Sequence, residues 1–120
     1  MPTLKLINER TSRVVAHTVA IASTRRARRR GLLGRDRMDT GSALMLTPCA
    51  AIHTAFMRFP IDVVFLDRHG CAVRVVRRLR PWRIAVAGRA RAAIELEAGG
   101  LGDDAVVVGD RLYLTPLDAS

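Results

Sequence analysis

Apolar positions along this chain come in short runs bounded by glycine, proline, asparagine and aspartate, a pattern that predicts strands rather than helices. Residues 3–7 and 13–19 read as two strands joined by a turn at Asn8-Glu9-Arg10. The second alternates Arg13, Val15, His17 and Val19 with Val14, Ala16 and Thr18. Residues 43–46 form a buried strand that ends at Thr47-Pro48, where proline removes a backbone donor. Residues 51–57 and 61–66 read as strands on either side of Phe59-Pro60, and Val63 to Leu66 is apolar and β-prone throughout. Asp67 to Gly70 reads as a hairpin turn into a strand over 71–79, which Pro81-Trp82 breaks. Further strands are predicted over 92–98, 105–108 and 111–114. One helix is expected over residues 24–33, capped by Ser23 or Thr24 and ended near Gly34. Its apolar face is thin, with Ala27, Leu32 and Leu33 as the main contacts.

Many short strands with closely spaced turns and one early helix predict a mainly β, β-rich α+β domain. Its sheet is expected to be a small closed or partly open barrel, antiparallel or mixed, because closure hides sheet edges. A doubly wound α/β fold is excluded, since no long amphipathic segment separates successive strands. With 120 residues the chain has room for one core, so residues 1–120 are read as a single domain.

Hydrophobic residues make up 49% of the chain, yet no apolar run approaches the roughly 20 residues that span a bilayer. The N-terminus has no charged region followed by a signal-peptide core, so the expected location is cytoplasmic, without membrane association. Cys49 and Cys71 lie far apart in no Cys-x-x-Cys pattern, which predicts reduced thiols. The net charge of +9 invites a nucleic-acid reading. That reading is not favoured: every cation except Lys5 is arginine, a bias that genome-wide base composition produces without an anionic partner. Most of the aromatics, Phe56, Phe59, Phe65, Trp82 and Tyr113, also fall in segments read as core strands, which argues against a base-stacking platform.

The stretch from His53 to Asp67 joins a polar cluster, a rigid turn and a buried strand. Together with Arg30-Gly-Leu-Leu-Gly-Arg35, Met57-Arg-Phe-Pro-Ile-Asp62, Val64-Phe-Leu-Asp67, Pro81-Trp82, Ile94-Glu-Leu-Glu-Ala-Gly99 and Gly109-Asp110, it resembles the bacterial and archaeal family called domain of unknown function 192. The resemblance runs over most of the chain. It implies a compact β-barrel-like fold and a site near these motifs, but no reaction. Ala55 departs from the pattern, standing where an aromatic residue or glycine is expected.

The residues themselves nominate Arg30, His53, Met57, Arg58, Asp62 and Glu95 as candidate ligand-binding positions. On an extended strand His53 and Met57 share one face and Arg58 lies on the other. His53 then reads as a buried histidine or as a group at a pocket edge. Asp62 points opposite to Ile61, Val63 and Phe65. It is expected to accept backbone amides in the Phe59-Pro60 turn or to pair with Arg30 or Arg58. Glu95 and Glu97 share a strand face that reads most simply as solvated and paired with arginines, although paired carboxylates can also do acid–base work.

No metal is expected, because Cys49-x-x-x-His53 fits no standard zinc spacing. No cofactor is expected either, because Gly99-Gly-Leu-Gly102 lacks the partners of a phosphate loop. The leading function is a non-enzymatic ligand-binding or accessory module with a groove around residues 53–62. Its partner would be a small molecule or a protein, and its state a monomer or weak dimer. The alternatives are a hydrolase-like enzyme using Asp62 or Glu95 with His53, and a weak nonspecific nucleic-acid binder acting through arginines.

Overall fold

The computed structural model describes residues 3–102 and 104–116. Met1 and Pro2, the start of the segment read as no leader, lie outside them. In chain order the elements are β1 (Leu4–Asn8), β2 (Arg13–Ala22), α1 (Arg25–Arg30), β3 (Ser42–Leu46), β4 (Ala51–His53), β5 (Ile61–Leu66), β6 (Ala72–Leu79), β7 (Ile84–Val86), β8 (Ala92–Glu97) and β9 (Leu112–Pro116). Seven strands form one sheet in the order β6-β5-β8-β3-β2-β1-β9, and β4 pairs with β7 in a separate ribbon.

The large sheet curls into a half-barrel. Its two end strands are drawn together where Cys71 bridges Arg111. There Leu112 donates its N–H to the Gly70 carbonyl at 2.9 Å and Ala72 donates to the Asp110 carbonyl at 2.7 Å. Gly70, at φ +83°, is required at this seam: an added Cβ would lie 2.8 Å from the Leu112 carbonyl oxygen.

The alternation of side chains fills both faces of the curl. Val64, Leu66, Ile94, Leu96, Leu6 and Leu112 cluster on one side. That cluster draws on strands from both ends of the sheet, so it occupies the inside. Leu44, Leu46, Ile61, Val63, Phe65 and Ala93 cluster on the other side, covered by Leu32, Met38, Ile52, Met57 and Ala85 from the segments that cross over it. β5 is therefore buried along its whole length, which accounts for its uninterrupted apolar run from Val63 to Leu66. Full burial of a side chain such as Phe65 contributes roughly 1.5–3 kcal/mol.

The β2–β3 pair is parallel, from Thr18 opposite Ser42 to Ala22 opposite Leu46. Parallel neighbours need a crossover connection, and the segment between them carries α1 across the sheet's outer face. The helix is shorter than the sequence predicts. Thr24 caps it by accepting the Ala27 N–H at 3.0 Å, and Gly31 in a left-handed conformation closes it by donating to the Ala27 carbonyl. Leu32 and Leu33 then lie in turns, and Leu32 is buried in the core. Gly31, three residues ahead of Gly34, is thus the stop signal.

Three further expectations are corrected. The strand read over 51–57 ends at His53, because the chain turns through Phe56 at φ 65°. Residues 105–108 form turns rather than a strand. The Ala105 carbonyl there accepts from Asn8 and the Val107 N–H donates to Asp110. β7, just past Pro81-Trp82, is a strand that the sequence reading missed. Phe56, read into a core strand, is 72% exposed, and its ring lies 4.6 Å from that of Trp82, itself 61% exposed.

Candidate functional site

The candidate site is built around Glu95. In β8 this residue stands opposite Leu44 of β3 and Val63 of β5, so its side chain must enter the apolar layer on the outside of the curl. It is only 4% exposed, and its Oε2 has no hydrogen-bond partner among the described residues. Burial pushes its pKa up to about 7, against a weaker opposing pull from Arg35. The expectation that Glu95 and Glu97 share a solvated face therefore fails for Glu95. Glu97 is half-buried and accepts from the Thr40 hydroxyl at 2.9 Å, so among the described residues neither glutamate shows the expected pairing with arginine.

Glu95 borders a cavity of about 310 Å³ between the sheet and α1. Leu46, Ile52 and Met57 give it apolar walls, while Arg28, Arg29 and Arg30 from the helix, with Cys49 and His53, form its rim. The helix end places its three arginines there by following directly from the cap at Thr24. Cys49 is half-buried, and its Sγ donates to the Ala51 carbonyl at 3.2 Å. Burial holds its thiol pKa above the ordinary value, Glu95 raises it further, and Arg28 opposes the shift. The thiol is thus held protonated, which is the reverse of what a nucleophilic cysteine needs. Both cysteines are free. Among the described residues, no three His, Cys, Asp or Glu side chains group as a metal ion would require.

Four of the six nominated residues, Arg30, His53, Met57 and Glu95, line this cavity. They meet by a different route from the one the sequence suggested. His53 is exposed at the end of β4, Met57 is buried beyond a turn, and the two do not share a strand face. Arg58 and Asp62 lie elsewhere. Arg58 is exposed and pairs with Asp36 at 2.6 Å. Asp62 is fully buried on the opposite face of the sheet from Glu95, since it stands opposite Leu96.

The Asp62 carboxylate accepts three backbone N–H groups, from Arg78 at 2.9 Å and from Gly99 and Leu101 at 3.1 Å. These donors lie in distant segments rather than in the Phe59-Pro60 turn, and no arginine side chain pairs with it. Asp62 is thus a structural acid that pins the 99–101 loop and the end of β6 to β5. Sequence reasoning had no means of placing Arg28, Arg29 and Cys49 beside Glu95, because the β2–β3 crossover brings the arginines there and the β3–β4 connection brings Cys49.

Among known proteins, the family model DUF192, described as an uncharacterised ACR, matches residues 6–114. A solved structure from Sinorhizobium meliloti 1021, named a "putative transcription regulator", superposes with a TM-score of 0.80 at 22% identity, covering 93% of this chain and 92% of its own. A protein of unknown function from Novosphingobium aromaticivorans DSM 12444 superposes with a TM-score of 0.78 at 16% identity, covering 92% of this chain and 83% of its own. At these identities the likeness is one of fold. Among curated proteins none matches the chain.

Proposed function

The chain belongs to the DUF192 family, and from that premise we propose that it is a non-enzymatic ligand-binding domain whose site is the cavity between α1 and the sheet. The observation that carries this reading is the unpartnered Glu95 Oε2 in that cavity. A buried polar atom without a partner costs about 1–3 kcal/mol, and a ligand that donates a hydrogen bond there offsets the cost. A volume of about 310 Å³ lies at the small end of ligand sites, so the occupant is a compact metabolite. Its complement to the walls is a hydroxyl, amine or amide donor facing Glu95, a short apolar body along Leu46, Ile52 and Met57, and an anionic group facing the arginine rim.

The enzyme alternative loses Asp62, which lies on the opposite face of the sheet from Glu95 and is occupied by three amides. Its other version keeps Glu95 and His53 at one cavity, but among the described residues His53 makes no hydrogen bond to Glu95. The net charge of +9 and the name carried by the Sinorhizobium meliloti structure favour a second reading, phosphate contacts to nucleic acid through surface arginines. It predicts binding to mixed-sequence DNA that weakens steeply with salt.

Native mass spectrometry of protein purified gently from its own host tests the leading reading. The expected result is an added mass on the wild type that is absent or strongly reduced in Glu95→Gln. A wild type that carries no added mass, and gains none from a panel of hydroxy and amino acids, overturns it.

A further inference from the structure

The outer face of the β4–β7 ribbon has an inverted polarity. In β7 the buried position is the small Ala85, 2% exposed, while Ile84 and Val86 face outward at 74% and 52% exposure. Phe56 and Trp82 stand at one end of the ribbon, their rings tilted 59° to each other. Two large apolar side chains exposed on one strand, with two aromatic rings exposed in the turns at its end, are unfavourable in water and mark a surface that something covers.

The rings are held there deliberately by the backbone. Phe56 and Trp82 both have φ near 65°, a left-handed conformation that bulky residues rarely adopt. Thr54, fully buried between the two turns, fixes them. Its hydroxyl donates to the Arg80 carbonyl at 2.5 Å and accepts the Arg83 N–H at 2.9 Å, its N–H donates to the Arg83 carbonyl, and its carbonyl accepts the Trp82 N–H at 3.0 Å.

Charge identifies the occupant. Residues 40–61 and 68–94, which build the ribbon and its turns, contain no aspartate or glutamate. Exposed arginines border the patch: Arg83 donates to the Trp82 carbonyl at 3.3 Å, Arg74 donates to the Val86 carbonyl at 2.7 Å, and Arg80 flanks the Trp82 turn, whereas Arg58, next to the Phe56 turn, is paired with Asp36. Tryptophan and arginine around an apolar centre are the composition of protein–protein hot spots. The cationic border disfavours a second copy of this chain, because like charges would face each other. Nucleic acid fits less well, since the two rings pack against one another instead of offering parallel platforms, and Ile84 and Val86 do not stack bases. We propose that this face, centred on Phe56, Trp82, Ile84 and Val86, docks an acidic polypeptide segment that carries apolar anchors.

Fluorescence anisotropy tests this with labelled synthetic peptides that alternate aspartate or glutamate with leucine or phenylalanine. Controls replace the acids by lysine or the apolar residues by serine. The wild type should bind the acidic apolar peptides at least about tenfold more tightly than either control, and Trp82→Ala and Ile84→Ser should each remove about tenfold. Both changes lie at exposed positions, and far-UV circular dichroism checks that the variants fold. Equal binding of all peptides overturns the proposal, as does binding that Trp82→Ala and Ile84→Ser both leave unchanged. It is also overturned if Trp82 governs binding of oligo-dT or phosphatidylglycerol vesicles, or a monomer–dimer equilibrium, while the peptides fail to bind.

Discussion

Replacing Glu95 by glutamine should stabilise the unliganded domain at neutral and alkaline pH and leave it unchanged in acid. In the folded state burial raises the Glu95 pKa from the ordinary 4.5 to about 7. Between those values the folded protein holds a proton that the unfolded chain has released, so stability falls as pH rises through that window and levels off above it. At about 1.4 kcal/mol per pH unit, the interval amounts to roughly 3 kcal/mol. Glutamine has nearly the same shape and does not titrate. The variant should therefore match the wild type near pH 4.5 and exceed it by roughly 3 kcal/mol at pH 8.

Urea unfolding followed by far-UV circular dichroism reads this directly. With a slope of about 2 kcal/mol/M the midpoint should shift by about 1.5 M at pH 8 and not at pH 4.5. Other titrating groups are common to both proteins and cancel in the difference. A difference that does not grow with pH, or a glutamine variant that is less stable at pH 8, refutes the reasoning, because either shows that the carboxylate is charged and satisfied in the fold.

Asp62→Ala removes the acceptor of three backbone amides inside the sheet and should cost about 3–5 kcal/mol in urea unfolding, a loss that would mark Asp62 as structural. Asp110 is held well below the usual carboxylate range chiefly by its hydrogen bond from Arg10, with Val107 and Asn8 adding to it. Its stabilisation is present above the unfolded value near 4 and is lost as pH falls. The thermal stability gap between wild type and Asp110→Asn should therefore be constant from neutral pH down to about pH 5 and narrow progressively below about pH 4. Because Glu95 raises the Cys49 pKa, Glu95→Gln in a Cys71→Ser background should speed alkylation of Cys49 by iodoacetamide at pH 8. An unchanged rate would show that the two groups are not coupled.

Much of the fold was legible because its signals are local. The unbroken apolar run around Val64, the proline after Thr47 and the turn at Asp67–Gly70 each act within a few residues, and each strand they mark is present. Misreadings arose where tertiary context decided. Residues 54–57 carry no breaker stronger than those of a strand, yet Thr54 is bonded to Arg80 and Arg83 and forces a turn. Phe56 reads as a core residue because it falls within the strand expected over 51–57, although its turn lifts it out. For the site, Arg30, His53, Met57 and Glu95 were named individually from the sequence. That Glu95 faces apolar neighbours, whereas Asp62 satisfies backbone amides on the other side, depends on strand order, which no short-range pattern encodes.

The parallel pairing of β2 with β3 frees the crossover between them to change independently of the sheet. Residues 23–41 supply the arginine rim, yet only Leu32 and Met38 of that segment are buried in the core. Those two side chains act as pins, with Ala27 and Leu33 packed more lightly against the same cluster. In the ligand-binding reading proposed above, the half-barrel is the frame and the crossover the selector. Transplanting the crossover of one member onto the sheet of another, with the two pins kept, should carry ligand preference with it, making this segment the natural unit for diversification and for engineering new recognition.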